Sequence, residues 1–175
     1  RLSLKPYVLN KSMMALNNFQ FNTTPGLRFG SGHAKLSCKE IFDKLGSRIL
    51  FITDKGLMSL GLTKPTIDEL KKMGSVEVFD NVEADPSQKT LLTAIELGRK
   101  IKATGVIGFG GGSSMDVAKL SALILGSNED LEKAWGVSNA KGPRLPLTLI
   151  PTTAGTGSEV TPISIITVGE EEKKG

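Results

Sequence analysis

The sequence predicts an α/β fold, an open and mostly parallel sheet with flanking helices, similar to a Rossmann fold. Short apolar runs rich in β-branched residues alternate with longer segments of helical period. This order favours parallel strands joined by right-handed crossovers. Glycine-rich or hydroxyl-rich stretches follow several of the apolar runs. The length of 175 residues suits one domain of this class.

The chain begins with a segment that has no clear period. Residues 1–20 are predicted to be a mobile extension, or a helix over residues 12–19, and residues 21–175 to form the domain. The apolar run at residues 48–53 predicts a buried strand. In residues 65–74 the acids lie early and the lysines late, which complements a helix dipole, and a glycine ends the predicted helix.

The next elements repeat this alternation. Residues 76–79 predict a second strand, and residues 86–105 a helix with apolar residues near one face. The apolar run at residues 105–109, bounded by glycines, predicts the third strand. Residues 114–125 predict a helix, because apolar residues recur at intervals of three and four and Gly126 follows.

After a polar connection, residues 145–150 and 162–168 predict two further strands. In an open parallel sheet, ligands bind beyond the carboxyl ends of the strands. Polar stretches lie at three of these ends, at residues 53–56, 110–116 and 151–159. We therefore expect these stretches to meet in one crevice.

Composition limits the class of function. No apolar run approaches the roughly 18 residues of a membrane span, and the N-terminus lacks a secretory apolar region. Because the net charge is +4 and basic residues alternate with acids, nucleic-acid binding is not expected. The one cysteine, Cys38, is interpreted as a structural thiol in a reducing cytoplasm. The only histidine, His33, cannot form a histidine-rich metal site and is interpreted as a solvent-facing turn residue.

The stretch GFGGGSSMD predicts a phosphate-binding turn at the start of a helix. Gly110, Gly111 and Gly112 have no Cβ and can adopt positive φ, so an anion could approach the backbone closely. Ser113 is predicted as the N-cap and Asp116 as the acid of a capping box, and the helix N-terminus would attract a phosphate. A tight turn without a ligand is the alternative, but three consecutive glycines exceed what a turn needs.

This stretch departs from two common nucleotide motifs. G-x-G-x-x-G would need a glycine where Ser113 or Met115 stands, and no Gly-Lys-Ser/Thr follows as in a P-loop. The better-placed acid is Asp54, directly after the first strand, where it could bind both ribose hydroxyls of an adenosine and repel a 2′-phosphate. Capping of a turn before Gly56 explains Asp54 equally well.

The stretch PTTAGTGSEVT, at residues 151–161, combines hydroxyl side chains with glycines. Such a loop can donate and accept hydrogen bonds along an adenine or ribose edge, while its glycines allow close approach. A hydroxyl-rich turn without a ligand is the alternative. The neighbouring strand-end loops favour the binding interpretation.

Together these stretches resemble the iron-containing (group III) alcohol dehydrogenases, which share a superfamily with glycerol dehydrogenase and dehydroquinate synthase. The resemblance extends over about residues 21–175. The motifs that carry it are FGSG at 29–32, FITDKGL at 51–57, FDNVEADPS at 79–87, IGFGGGSSMDVAK at 107–119 and LIPTTAGTGSEVTP at 149–162.

The resemblance implies the N-terminal cofactor domain of a two-domain enzyme that transfers hydride between a nicotinamide and an alcohol or carbonyl compound. By the same resemblance, Asp54 would bind the adenosine ribose and favour NAD over NADP. Gly111, Gly112 and Ser113, in the loop that begins at Gly110, would hold the pyrophosphate, with Asp116 beside it.

The resemblance assigns further cofactor contacts downstream. Thr152 and Thr153 would line the adenine side, and Thr156 would lie nearer the phosphates. Lys174 matches a family lysine that reaches the cofactor. Asp85 stands where many members have asparagine, so this sequence departs from the family at that position.

The family binds Fe(II) or Zn through one aspartate and three histidines of a helical domain that follows the cofactor domain. No residue of this sequence receives a metal-binding role, so the metal is expected only in the full-length enzyme, and these residues alone are expected to be inactive. In such enzymes the metal polarises the substrate oxygen and the nicotinamide carries the hydride. A cytoplasmic location and a homo-oligomer are also expected, and an exposed apolar face would promote self-association.

Two other interpretations stay open. One keeps the fold but changes the reaction, to that of a glycerol-dehydrogenase-like enzyme or a hydroxyacid–oxoacid transhydrogenase. The other is a nucleotide-binding module without catalysis.

Overall fold

A four-stranded parallel sheet lies at the centre of the computed structural model, which describes residues 24–136, 138–169 and 172–175. The predicted extension of residues 1–20 lies outside the described residues. The strands are β1 (Arg48–Ile52), β2 (Ser75–Phe79), β3 (Gly105–Gly110) and β4 (Leu147–Pro151). They are arranged in the order β2-β1-β3-β4, and all neighbours are parallel. The predicted α/β class is confirmed.

The connections between strands are helical. The predicted helices at residues 65–74, 86–105 and 114–125 are present with somewhat different ends. The described helices are α1 (His33–Leu36), α2 (Cys38–Leu45), α3 (Lys55–Ser59), α4 (Lys64–Lys71), α5 (Gln88–Lys100), α6 (Gly112–Ser127) and α7 (Leu131–Ala134). Three of the unpredicted helices have only four or five residues, too few for a helical period to show. In α2, however, the buried residues Cys38, Ile41 and Leu45 do follow that period.

Helices cover both faces of the sheet. On one face, Leu50 and Val106 pack against α5 and α6; on the other, Ile49 and Phe51 pack against α2 and α4. Because successive strand residues point to opposite faces and both faces are covered, the central strands are continuous apolar runs. This explains why they were recognisable in the sequence.

The order of the strands reverses between β1 and β3. The chain passes from β1 to β2 at one edge of the sheet, crosses back over β1 to β3, and continues outward to β4. In open α/β sheets this switch point, at the carboxyl ends of the strands, is where ligands bind. Asp54 follows β1 here, and the glycine-rich stretch follows β3.

The prediction of a strand over residues 162–168 was wrong in length and in pairing. Only Ile166–Val168 forms a strand, β5, and it pairs antiparallel with β6 (Glu172–Lys174) in a separate two-stranded sheet. Side chains of α6 bind the backbone just before β5: Lys119 donates to the carbonyl of Ile163, and the amide of Ile165 donates to Asp116. These backbone groups therefore cannot pair with a strand.

None of the described helices is long and apolar enough to cross a membrane.

Candidate functional site

The glycine loop (residues 110–112) joins β3 to α6 at the switch point. Gly110 has φ +151°, and a Cβ built on it would lie 2.7 Å from the Ser114 hydroxyl oxygen. A glycine is therefore required at this position for both backbone and steric reasons. Gly111, in contrast, has an ordinary extended conformation, with φ −78° and ψ −173°.

The prediction that Ser113 is the N-cap of this helix was wrong. Helix α6 begins at Gly112, its N-cap is Gly111, and no side chain caps it, so Asp116 is not the acid of a capping box. The extended backbone of Gly111 lets the helix start directly after the strand. The first amide of α6 with a described backbone acceptor is that of Met115, which donates to Gly111. The three preceding amides have no acceptor among the described residues, which leaves donors for an anion.

Asp54 lies on the other side of the switch point and is half-buried. Its Oδ1 accepts a hydrogen bond of 2.9 Å from the Leu57 amide, so that Asp54 caps α3. Within the described part of the chain, the second carboxylate oxygen has no hydrogen-bond partner. A carboxylate can accept at both oxygens, so the cap that the sequence suggested does not exclude a ligand. Leu57 also contacts the glycine loop, since a Cβ on Gly110 would lie 3.2 Å from its Cδ1.

The threonine loop (residues 152–156) follows β4 and is exposed. Its first amide, that of Thr152, donates to the Gly110 carbonyl at 2.9 Å. This bond extends the β3–β4 pairing by one residue beyond the sheet. The threonine loop therefore starts beside the glycine loop, as the strand-end argument predicts.

Two threonine side chains face the glycine loop. A Cβ built on Gly111 would lie 3.7 Å from Thr153 Oγ1, and one built on Gly112 would lie 3.4 Å from Thr156 Cγ2. Any larger side chain on either glycine would enter this space. The two loops thus form a cradle, lined by uncapped amides on one side and hydroxyls on the other.

Asp116 lies behind this cradle, in the second turn of α6, with 14% of its side chain exposed. Its Oδ1 accepts from the Ser158 hydroxyl and lies 3.0 Å from Lys119 Nζ, and its Oδ2 accepts from the Ile165 amide at 3.0 Å. Desolvation lowers the pKa of Lys119, an effect that hydrogen bonding and charge attraction to Asp116 partly offset. Sequence reasoning missed Lys119, although its spacing of three residues from Asp116 on a helix was a usable signal.

Lys174 lies in β6, opposite Ile166 of β5. The hairpin rests beside the start of α5, because the Thr167 amide donates to the Pro86 carbonyl at 2.9 Å. Nearby, Asp85 has φ +50°, a conformation that asparagine and aspartate tolerate better than most residues. The aspartate at this position is therefore compatible with its backbone conformation. A cofactor contact of Lys174 stays a prediction.

The interpretation of His33 as a solvent-facing turn residue needs correction. His33 is half-buried and is the first residue of α1. Its ring lies against Gly30, where an added Cβ would be 2.4 Å from the imidazole Cδ2. Across residues 24–136, 138–169 and 172–175, no group of three or more His, Cys, Asp or Glu side chains could hold a metal ion.

Comparison with known proteins gives consistent results. A family model described as iron-containing alcohol dehydrogenase matches residues 25–175. A choline dehydrogenase of Bacillus subtilis is 38% identical over 168 residues, covering 94% of this chain and 41% of that protein. The solved alcohol dehydrogenase from Oenococcus oeni matches with a TM-score of 0.81 and 30% identity, over 90% of this chain and 42% of that one.

A sulfoacetaldehyde reductase from Bifidobacterium kashiwanohense, solved in complex with NAD+, matches with a TM-score of 0.76 and 31% identity, again over 90% of this chain and 42% of that one. The chain thus spans about two fifths of the length of the relatives it matches.

Proposed function

The chain belongs to the iron-containing alcohol dehydrogenase family, and we propose that it binds the nicotinamide dinucleotide of an enzyme that transfers hydride between NAD and an alcohol or its carbonyl product. The cradle formed by the glycine and threonine loops at the switch point is the observation that carries this proposal. The sulfoacetaldehyde reductase solved in complex with NAD+ supports the choice of dinucleotide. When bound, the nicotinamide supplies or accepts the hydride.

The partial charge of the cradle suits a pyrophosphate. The uncapped amides of α6 point out of a helix of 16 residues, whose N-terminus has a partial positive charge. A Cβ on Gly111 or Gly112 would already contact Thr153 or Thr156, so only glycine would leave the space between the two loops to a ligand. Gly111, Gly112 and Ser113 would hold the phosphates here, and the Thr156 hydroxyl would reach them from the facing loop.

The remaining contacts follow from position around the switch point. Asp54 would accept from the ribose hydroxyls with its unpartnered oxygen, and its charge would repel the 2′-phosphate of NADP. Thr152 and Thr153 would line the adenine side. Lys174 would approach from the β5–β6 hairpin.

The metal and substrate are proposed to be bound by another part of the enzyme. The family uses Fe(II) or Zn, and no metal-binding role is proposed for the described residues. A glycerol-dehydrogenase-like or transhydrogenase reaction is compatible with the same cradle, and so is a nucleotide-binding module without catalysis. We propose that these 175 residues alone bind the cofactor but do not turn over an alcohol.

We also propose an assembly state and a location for the protein. Apolar side chains such as Phe29, which is 95% exposed, support a homo-oligomer. The buried free thiol of Cys38 is consistent with a reducing compartment such as the cytoplasm.

Titration with NADH, followed by the fluorescence of the nicotinamide, tests the binding proposal. Gly111→Val should weaken NADH binding by at least about tenfold, since its side chain would enter the cradle. The matched control is Gly26→Val, because a Cβ on Gly26 meets nothing within 4 Å; its affinity should equal that of the wild type. The proposal is lost if the wild type does not bind NADH, or if Gly111→Val binds it equally well.

A further inference from the structure

Lys119 and Asp116 form a shielded polar cluster that the proposed cofactor contacts do not require. Only 10% of the Lys119 side chain is exposed. Its Nζ lies 3.0 Å from Asp116 Oδ1, donates to the Ile163 carbonyl, and lies 3.4 Å from the carbonyl oxygen of Thr161. All three ammonium hydrogens therefore have an acceptor within the chain.

Both carboxylate oxygens of Asp116 are also occupied, by the Ser158 hydroxyl, Lys119 and the Ile165 amide. The family resemblance implies a position beside the pyrophosphate for Asp116, and that contact stays a prediction. A carboxylate that faced a phosphate would repel it. Here the negative charge is neutralised by Lys119.

The cluster binds a segment that lies outside the helices and strands of the described chain. Residues 158–165 lie between the threonine loop and β5 and belong to neither a helix nor a strand. Four contacts from α6 side chains fix their backbone or side chains, through Ser158, Thr161, Ile163 and Ile165. Burying two charges is costly unless they are paired and fully hydrogen-bonded, and this pair meets both conditions.

The same segment continues directly into the threonine loop. Thr156 Oγ1 accepts from the Ser158 amide at 3.4 Å, and the intervening Gly157 has φ +67°. The threonine loop is thus held at one end by β4 and at the other by the residues that α6 binds.

We propose that Lys119 and Asp116 are positioning residues, which clamp residues 158–165 onto α6 and so hold the threonine loop over the glycine loop. They act on dinucleotide binding through Thr153 and Thr156, without touching the dinucleotide. The clamp itself is independent of the ligand, but its effect on affinity rests on the proposed NAD binding.

Amide hydrogen exchange of the ligand-free protein tests the clamp directly. Lys119→Met removes the three donors but keeps most of the apolar stem, and exchange of the hydrogen-bonded amides of residues 152–165, those of Thr152, Ser158, Val160 and Ile165, should become at least about tenfold faster. Amides of β1 should be unaffected. Lys64→Met is the matched control, because Lys64 forms an exposed ion pair with Asp68 on α4. Unchanged exchange over residues 152–165 would overturn the proposal, as would acceleration of equal size in β1.

Ligand fragments test the consequence for binding. Lys119→Met should weaken NADH and ADP-ribose by about tenfold, whereas adenosine, which would meet Thr152 and Thr153 but neither Thr156 nor the glycine loop, should be weakened less. A merely structural role would weaken all three ligands equally. Ser158→Ala, which removes one donor to Asp116, should shift NADH in the same direction to a smaller extent.

The outcomes separate the two proposals. If the wild type does not bind NADH, the proposed function fails while hydrogen exchange still decides the clamp. If the wild type binds NADH and both variants match its affinity and exchange, the clamp is refuted and the binding proposal stands.

Discussion

At the residue scale, the Asp54 carboxylate has two roles, one observed and one proposed. Oδ1 caps α3 through the Leu57 amide, and the second oxygen is proposed to bind a ribose. The sequence offered these roles as alternatives, because a strand-end acid before Gly56 suits either. The geometry shows that they are compatible, since a helix cap uses only one oxygen. A test of the ribose role therefore needs a substitution that removes the negative charge of Asp54 but keeps the hydrogen bond that caps α3.

Asp54→Asn should change cofactor preference with little effect on stability. The amide oxygen can still accept from Leu57, so the free energy of unfolding should change by less than about 0.5 kcal/mol. Loss of the negative charge should raise the NADPH-to-NADH affinity ratio about tenfold. Fluorescence titration with both cofactors measures the ratio. An unaltered ratio would exclude the proposed role in discrimination.

Asp54→Ala provides the comparison, because it removes the cap as well as the charge. Urea unfolding should show an additional loss of about 1 kcal/mol, typical of a lost N-cap. If Asp54→Asn and Asp54→Ala were equally stable, the hydrogen bond to Leu57 would not stabilise α3.

Gly110→Ala and Gly111→Ala should affect different properties. At Gly110 the φ of +151° and the Ser114 side chain oppose a Cβ, so Gly110→Ala should lower the free energy of unfolding by about 1–3 kcal/mol. At Gly111 a Cβ meets only Thr153 at 3.7 Å, so stability should be nearly unchanged while NADH affinity falls. Urea unfolding and NADH titration distinguish them. Equal destabilisation by both would contradict the steric argument.

At the scale of elements, the start of α5 is held by a network that precedes the helix. Ser87 Oγ accepts from the Thr90 amide, and the Glu83 carboxylate accepts from the Thr90 hydroxyl and the Ser87 amide. The helical period of residues 86–105 predicted the helix but not this cap, because Glu83 lies outside the periodic segment. The loop next to this cap also receives the β5–β6 hairpin through Pro86. The cap therefore supports both α5 and the hairpin.

The Glu83 network should make stability depend on pH in the acidic range. Burial acts to raise the pKa of Glu83, but hydrogen bonds from Thr90 and Ser87 outweigh it and leave the pKa below its usual value. The unfolded chain therefore binds a proton more readily, and stability is lost as pH falls from about 4.3, the ordinary glutamate value, through the folded pKa. Glu83→Gln should lack this component. Between pH 6 and pH 3, the unfolding temperature of the wild type should fall towards that of Glu83→Gln. If the two unfolding temperatures changed in parallel with pH, the proposed contribution of the Glu83 network would be contradicted.

At the scale of the whole molecule, the elements that the sequence predicted well are those whose side chains are buried. The two central strands, β1 and β3, were recognisable because both faces of the sheet are covered, which makes these strands almost continuously apolar. Residues 162–165 also contain isoleucines, yet Ile163 and Ile165 are 56% and 50% exposed, so the apolar residues there did not indicate a strand. The cradle was predictable from local glycines and hydroxyls. The contacts of Asp116 with Ser158 and Ile165 were not, because 42 and 49 residues separate them.

The exposed side chains of Ile163 and Ile165 are expected to promote self-association of the chain. Single exposed apolar side chains are common, but neighbouring ones on a rigid segment promote association. The clamp holds Ile163 and Ile165 by their backbone, so their side chains cannot withdraw. We expect light scattering to show that the 175-residue chain, of mass 18.6 kDa, self-associates.

The double variant Ile163→Ser with Ile165→Ser should shift the mass towards that of the monomer, because the backbone contacts are retained while the apolar surface is removed. Leu92→Ser, on α5 with 44% exposure, serves as control and should shift it less. A monodisperse wild-type monomer would contradict the prediction.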